Sequence, residues 1–170
     1  KKELQTESKR LGEVELSVQD NKILLVNVLE REGKYLWCDT DNKCYFMDKD
    51  GFVFDEAPYF SGEVYFKFYG LMNNFKELIF LKEAFQNMGL ALATLSVLEN
   101  GDIKILLSKV NAFSAQPEIL LRADSDFETV AENLETALTT EPLQSDFKNK
   151  YSSLLYIDLR FGNKVYFKFQ

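Results

Sequence analysis

The chain has 170 residues, 46% hydrophobic and 14% aromatic, with 15 Phe and 8 Tyr, so it can bury a sizeable core and is not a disordered segment. Its net charge of −7, with Lys1-Lys2 and Lys9-Arg10 as the strongest basic cluster, argues against a nucleic-acid surface, and no run of about 18 apolar residues is present to span a membrane. The absence of histidine removes the commonest general acid–base group and metal ligand, and two cysteines are too few for a four-cysteine zinc site.

Residues 1–12 carry Leu4 and Leu11 seven apart with charges between, and predict the end of an amphipathic helix with Gly12 just past it. Strands follow at 14–18 and 22–30, joined by the turn signal Asp20-Asn21. A helix and one hairpin do not close a core, so this part reads as the end of a small α-β-β module. The sequence opens without a methionine and inside a helical pattern, which leads us to expect a piece of a longer chain, with any membrane anchor upstream.

The polar stretch Glu30-Arg31-Glu32-Gly33 predicts a boundary between residues 1–31 and 32–170. Short strands then follow at Tyr35–Cys38, Cys44–Met47, 51–54 and 63–69, with Asp50-Gly51 as a tight-turn signal and the spacing of an antiparallel meander. Leu71, Phe75, Leu78, Leu81, Phe85 and Met88 recur at helical steps, and Gly89 ends that helix. Strands at 90–98 and Asp102–Leu107 flank the hairpin signal Asn100-Gly101, and Glu118–Arg122 is another strand. Ser125 and Glu128 have the spacing of a capping box. The stripe Phe127, Val130, Ala131, Leu134, Ala137 and Leu138 predicts a helix that Pro142 stops. A short helical connection at 144–151 leads into the last hairpin, in which Leu155, Ile157, Leu159 and Phe161, then Val165, Phe167 and Phe169, alternate with polar residues around Gly162-Asn163. Helices are too few for alternating parallel units. The expected class is α+β, an antiparallel or mixed sheet with two main helices on one face.

Among chemical constellations, Cys38 and Cys44 flank the 39–43 loop. If Trp37-Cys38 pairs with Cys44-Tyr45, the two side chains face each other at bridging distance. That leaves two readings: a disulfide in an oxidising compartment, or two reduced thiols. Asp48, Asp50 and Gly51 superficially resemble a calcium loop, but Phe46 and Ala57 would occupy positions that need acidic ligands. Asp55-Glu56, Asp124 with Asp126, Glu135 and Asp146 are the carboxylates a glycan hydrolase would have to bring within about 5–9 Å. Asp158 and Arg160, two apart on one strand face, are set to pair with each other or across the sheet. No G-x-S-x-G and no phosphate-cradling loop is present. We expect no catalytic residue, no metal, no cofactor and no small-molecule substrate. The final strand, aromatic and with nothing after it to cover it, is either an ordinary sheet strand or a docking edge for another chain.

The order of these landmarks resembles the FtsQ/DivIB family of bacterial cell-division proteins. Val26-Asn27-Val28-Leu29-Glu30-Arg31-Glu32 resembles the end of its POTRA domain. Tyr35-Leu36-Trp37-Cys38 and Asp48-Lys49-Asp50-Gly51-Phe52-Val53-Phe54 resemble the start of its β domain. Ile157-Asp158-Leu159-Arg160 and the strand after it resemble its end. The resemblance implies a partial POTRA-like module over 1–31 and a β domain over 32–170. It implies a non-enzymatic scaffold of the divisome, anchored by one upstream membrane helix, with this segment outside the cytoplasm at the division septum. It implies FtsB/DivIC-like and FtsL-like partners bound by strand addition at Tyr156, Arg160, Phe161, Lys164, Val165, Tyr166, Phe167, Lys168 and Phe169. That location favours a Cys38–Cys44 bridge. An extracytoplasmic wall-glycan hydrolase or another POTRA-containing binding module are the alternatives.

Overall fold

The computed structural model describes residues 2–109, 111 and 114–170. Lys1, where the opening helix was expected to start, lies outside the described residues. The chain divides into two compact units, Lys1–Tyr65 and Phe66–Gln170.

In the first unit, helix α1 (Lys2–Glu7) precedes a two-stranded hairpin of β1 (Leu11–Gln19) and β2 (Ile23–Glu30). The expected helix over 1–12 is thus shorter. Gly12 is a strand residue at a break in the register between Leu11 and Glu13, because Arg10 and Arg31 already join the strand ends through a main-chain hydrogen bond. Asp20 and Asn21 both take positive φ, the conformation of the tight hairpin turns that match strand twist. A meander of β3 (Tyr35–Cys38), β4 (Cys44–Met47) and β5 (Val53–Glu56) follows. The strand expected at 51–54 begins two residues late because Asp48 closes a turn. Its carboxylate accepts the amides of Asp50 and Phe52, and its carbonyl accepts the amide of Gly51. Asp48 therefore works as a turn residue. Rings of Phe60 and Tyr65 pack on Phe46 and on each other. That packing holds the residues before Phe66 as a loop, so the strand expected at 63–69 shrinks to β6 (Lys67–Tyr69) in the second unit.

The second unit carries β6, helix α2 (Phe75–Asn87), β7 (Leu92–Val97), β8 (Asp102–Leu107), β9 (Glu118–Arg122), α3 (Phe127–Leu138), α4 (Leu143–Lys150), one 3-10 turn, β10 (Leu154–Phe161) and β11 (Lys164–Phe169). The strands pair in the order β11-β10-β9-β8-β7-β6. The β6/β7 and β9/β10 pairs are parallel and the others antiparallel, giving an α+β fold with a mixed sheet. Contrary to the expectation that helices are too few for parallel units, two strand–helix–strand crossovers are embedded in it. Both start from strands of one direction and step the same way along the sheet, so the right-handed crossover rule places α2 and α3 on the same face. The two helices pack together, and Leu78, Leu81, Phe85, Val130 and Leu134 are buried. In the sheet, Phe68, Leu95, Ile103, Ile105, Ile119, Leu121 and Ile157 are fully buried.

Two helix starts differ from expectation. Leu71 is exposed outside α2. Gly70 has φ +83, and a Cβ there would lie 2.2 Å from the Val97 carbonyl oxygen, so the chain must leave β6 pressed against β7 before the helix can begin. The carbonyl of Asn74 accepts the first helical amides, from Glu77 and Leu78. For α3 the cap is Asp126, not Ser125. The Asp126 carboxylate accepts the Glu128 amide and the Thr129 hydroxyl, and these bonds hold its acidity on the strong side of an ordinary aspartate.

Candidate functional site

Strand β11 lies at the end of the strand order, with β10 on one side only. Its six residues span about 20 Å, and an antiparallel edge leaves roughly half of its amides and carbonyls pointing away from its neighbour. Register fixes the faces. Phe167 lies opposite Ile157, and Tyr166 opposite Asp158. Because Ile157 is buried, Val165, Phe167 and Phe169 are the half-buried, helix-side residues of β11, and Lys164, Tyr166 and Lys168 are exposed. The expectation that Tyr166 and Phe167 together form the docking surface is thereby divided. Tyr166 presents its ring on the open face, while Phe167 packs edge-on with Phe169 and belongs to the rim of the core.

On the open face, Phe161 and Tyr166 meet in a T-shaped pair with centroids 5.3 Å apart. They remain 56% and 48% exposed, so together they offer a wide, oriented aromatic surface. Tyr156 is only partly exposed and lies opposite Lys168.

Arg160 is built into the scaffold. Its Nε and Nη2 donate to the two carboxylate oxygens of Asp158 at 2.9 and 2.7 Å, and Nη1 donates to Asp102 at 2.9 Å. The Arg160 amide also donates to Asp158. Asp102 lies on β8 and Asp158 on β10, so the guanidinium crosses over β9, a reach of about 10 Å. Both expected pairings of the Asp158/Arg160 step, within the strand and across the sheet, are made at once. Asp158 and Asp102 are 7% and 9% exposed. The Arg160 hydrogen bonds outweigh desolvation at Asp158 and hold its carboxyl below the usual range, while the same bonds make Arg160 still harder to deprotonate.

Four of the other carboxylates have local ionic partners. Asp55 pairs with Arg10, Glu56 with Lys43, Asp124 with Arg122 and Asp146 with Lys150. The Glu135 carbonyl accepts the Thr139 hydroxyl. Among the described residues no group of three or more His, Cys, Asp or Glu is arranged to hold a metal ion, and no helix is long and apolar enough to cross a membrane.

In the first unit Trp37 lies opposite Tyr45 and Cys38 opposite Cys44. The structure joins the two cysteines as a disulfide, with their Cα atoms 4.1 Å apart. Arg31 ties the end of β2 to the β4–β5 turn: it donates to Asp48 and to the Lys9 carbonyl, and its guanidinium lies 4.1 Å from the Phe52 ring centre.

The sequence matches no family model and no curated protein.

Proposed function

We propose that this chain is a non-enzymatic interaction scaffold that takes an extended segment of a partner along β11. The observation that carries the proposal is the edge position of β11. A strand added there would gain main-chain hydrogen bonds, and the exposed Phe161/Tyr166 pair would select its side chains. Lys164 and Lys168 discourage indiscriminate edge pairing and favour an acidic segment. The FtsQ/DivIB resemblance supplies the candidate partners, FtsB/DivIC-like and FtsL-like division proteins, and the setting, the outer side of the membrane at a septum. The Cys38–Cys44 bridge agrees with an oxidising compartment. In this reading Arg160 holds β10 flat against β9 and β8 and so positions the edge.

The test is capture of an FtsB-like segment by the purified chain and by Tyr166→Glu. Tyr166 is exposed, so the variant should keep its thermal midpoint and lose capture. Equal capture by both proteins would refute the docking edge.

A further inference from the structure

The two crossovers that put α2 and α3 on one face also place both helix starts at the same end of the sheet. These starts leave the carboxyl ends of β6 and β9, three strand spacings or about 14 Å apart. Packed helices lie about 8–10 Å apart. The β7–β8 hairpin occupies the sheet layer between those ends. A cavity of about 200 Å³ lies there, lined by Leu78, Val97, Ile103, Ala123 and Phe127 together with Asn73 and Asn74. A wholly apolar cavity of about 150 Å³ takes benzene; this one is larger and partly polar, and it has room for an aromatic ring.

A wider recess of about 480 Å³ shares Phe127 with the cavity. Its rim carries Glu77, Asp126 and Glu128 against Lys76, so it is acidic. Asp126 keeps its negative charge because its cap hydrogen bonds favour the ionised form. An apolar seat beside an acidic rim is complementary to an apolar ring flanked by positive charge.

We propose that this recess is a second docking site, independent of β11, that seats an aromatic side chain of a partner polypeptide flanked by lysine or arginine. The anchor supplies most of the affinity, as buried aromatic anchors do. The exposed charge pairs at the rim add modestly and set the preference for a basic neighbour.

The test is an amide-shift titration of the isotope-labelled full chain with three probe peptides: acetyl-Lys-Phe-Lys-amide, acetyl-Lys-Ala-Lys-amide and acetyl-Glu-Phe-Glu-amide. The first should shift amides in 73–78, 97–103 and 123–128. The alanine peptide should bind about tenfold more weakly, and the glutamate peptide about fivefold more weakly. Ala123→Leu, which fills the cavity, should abolish the preference for phenylalanine. The surface variant Glu77→Lys/Glu128→Lys, which leaves the core untouched, should reverse the charge preference. Equal affinity of the phenylalanine and alanine peptides would overturn the proposal. So would shifts centred on 164–169, no shift up to about 10 mM peptide, or an unchanged charge preference in the surface variant.

Discussion

Arg160 gives the sharpest perturbation of the scaffold. In Arg160→Met the carboxylates of Asp158 and Asp102 stay where they are, 7% and 9% exposed, but lose the guanidinium that joins them. The Arg160 side chain is itself 32% exposed, so its loss falls between the roughly 0–1 kcal/mol of a surface pair and the roughly 3–5 kcal/mol of a fully buried one, at about 2–3 kcal/mol. Against a total stability of about 5–15 kcal/mol, and at about 2–4 °C per kcal/mol for a chain of this size, the midpoint should fall by roughly 5–10 °C. The pH dependence should also change sign. In the native protein the Asp158 carboxyl is held below its unfolded value. Its contribution is therefore complete above the unfolded value of about 4 and is lost as the pH falls through the depressed folded value. In Arg160→Met desolvation dominates instead and pushes Asp158 upward, so acidification toward pH 4 should recover stability. Urea unfolding followed between pH 7 and pH 4 measures both effects. A loss below about 1 kcal/mol with an unchanged pH slope would mean that the pair behaves as an exposed one, and would refute the clamp.

Three further perturbations separate local causes. Asp126→Ala should cost about 1 kcal/mol by removing the α3 cap, while Ser125→Ala should be close to neutral; thermal unfolding of the pair decides which residue caps the helix. Gly70→Ala should cost more than Gly101→Ala, since both have positive φ but only Gly70 has a backbone atom in the way of a new Cβ. About 1 kcal/mol is expected at Gly101 and at least twice that at Gly70, read from urea midpoints. Replacing Cys38 and Cys44 with serine should cost about 2 kcal/mol for so short a loop, and the unmodified protein should show thiols on denaturing titration only after reduction.

Local chemistry made much of this fold legible. The turns at Asp20-Asn21, Asn100-Gly101 and Gly162-Asn163 set three hairpins, because two or three neighbouring residues decide a turn. Cys38 opposite Cys44 followed from the same short-range register. What sequence reasoning missed was set by distant pairing. The parallel β6/β7 and β9/β10 pairs come from segments separated by a helix. Asp102, the second carboxylate of the Arg160 clamp, is 58 residues away, and no spacing marks it. Ser125 matched the capping pattern, but Asp126 lies one residue nearer the helix, and its two oxygens take the Glu128 amide and the Thr129 hydroxyl. Strand β11 was visible as an aromatic alternation, yet its two faces are set by Ile157, which lies opposite Phe167 and is buried. The cavity between the starts of α2 and α3 has no sequence signature, since it is a consequence of where two crossovers fall.

The central claim is that β11 receives a partner strand, and amide hydrogen exchange of the full chain with and without an FtsB-like segment tests it most directly. Backbone pairing should slow exchange at about half of the amides in Lys164–Phe169, the half that face away from β10, and Tyr166→Glu should remove that protection. Binding that leaves every β11 amide exchanging at its free rate would contradict the account.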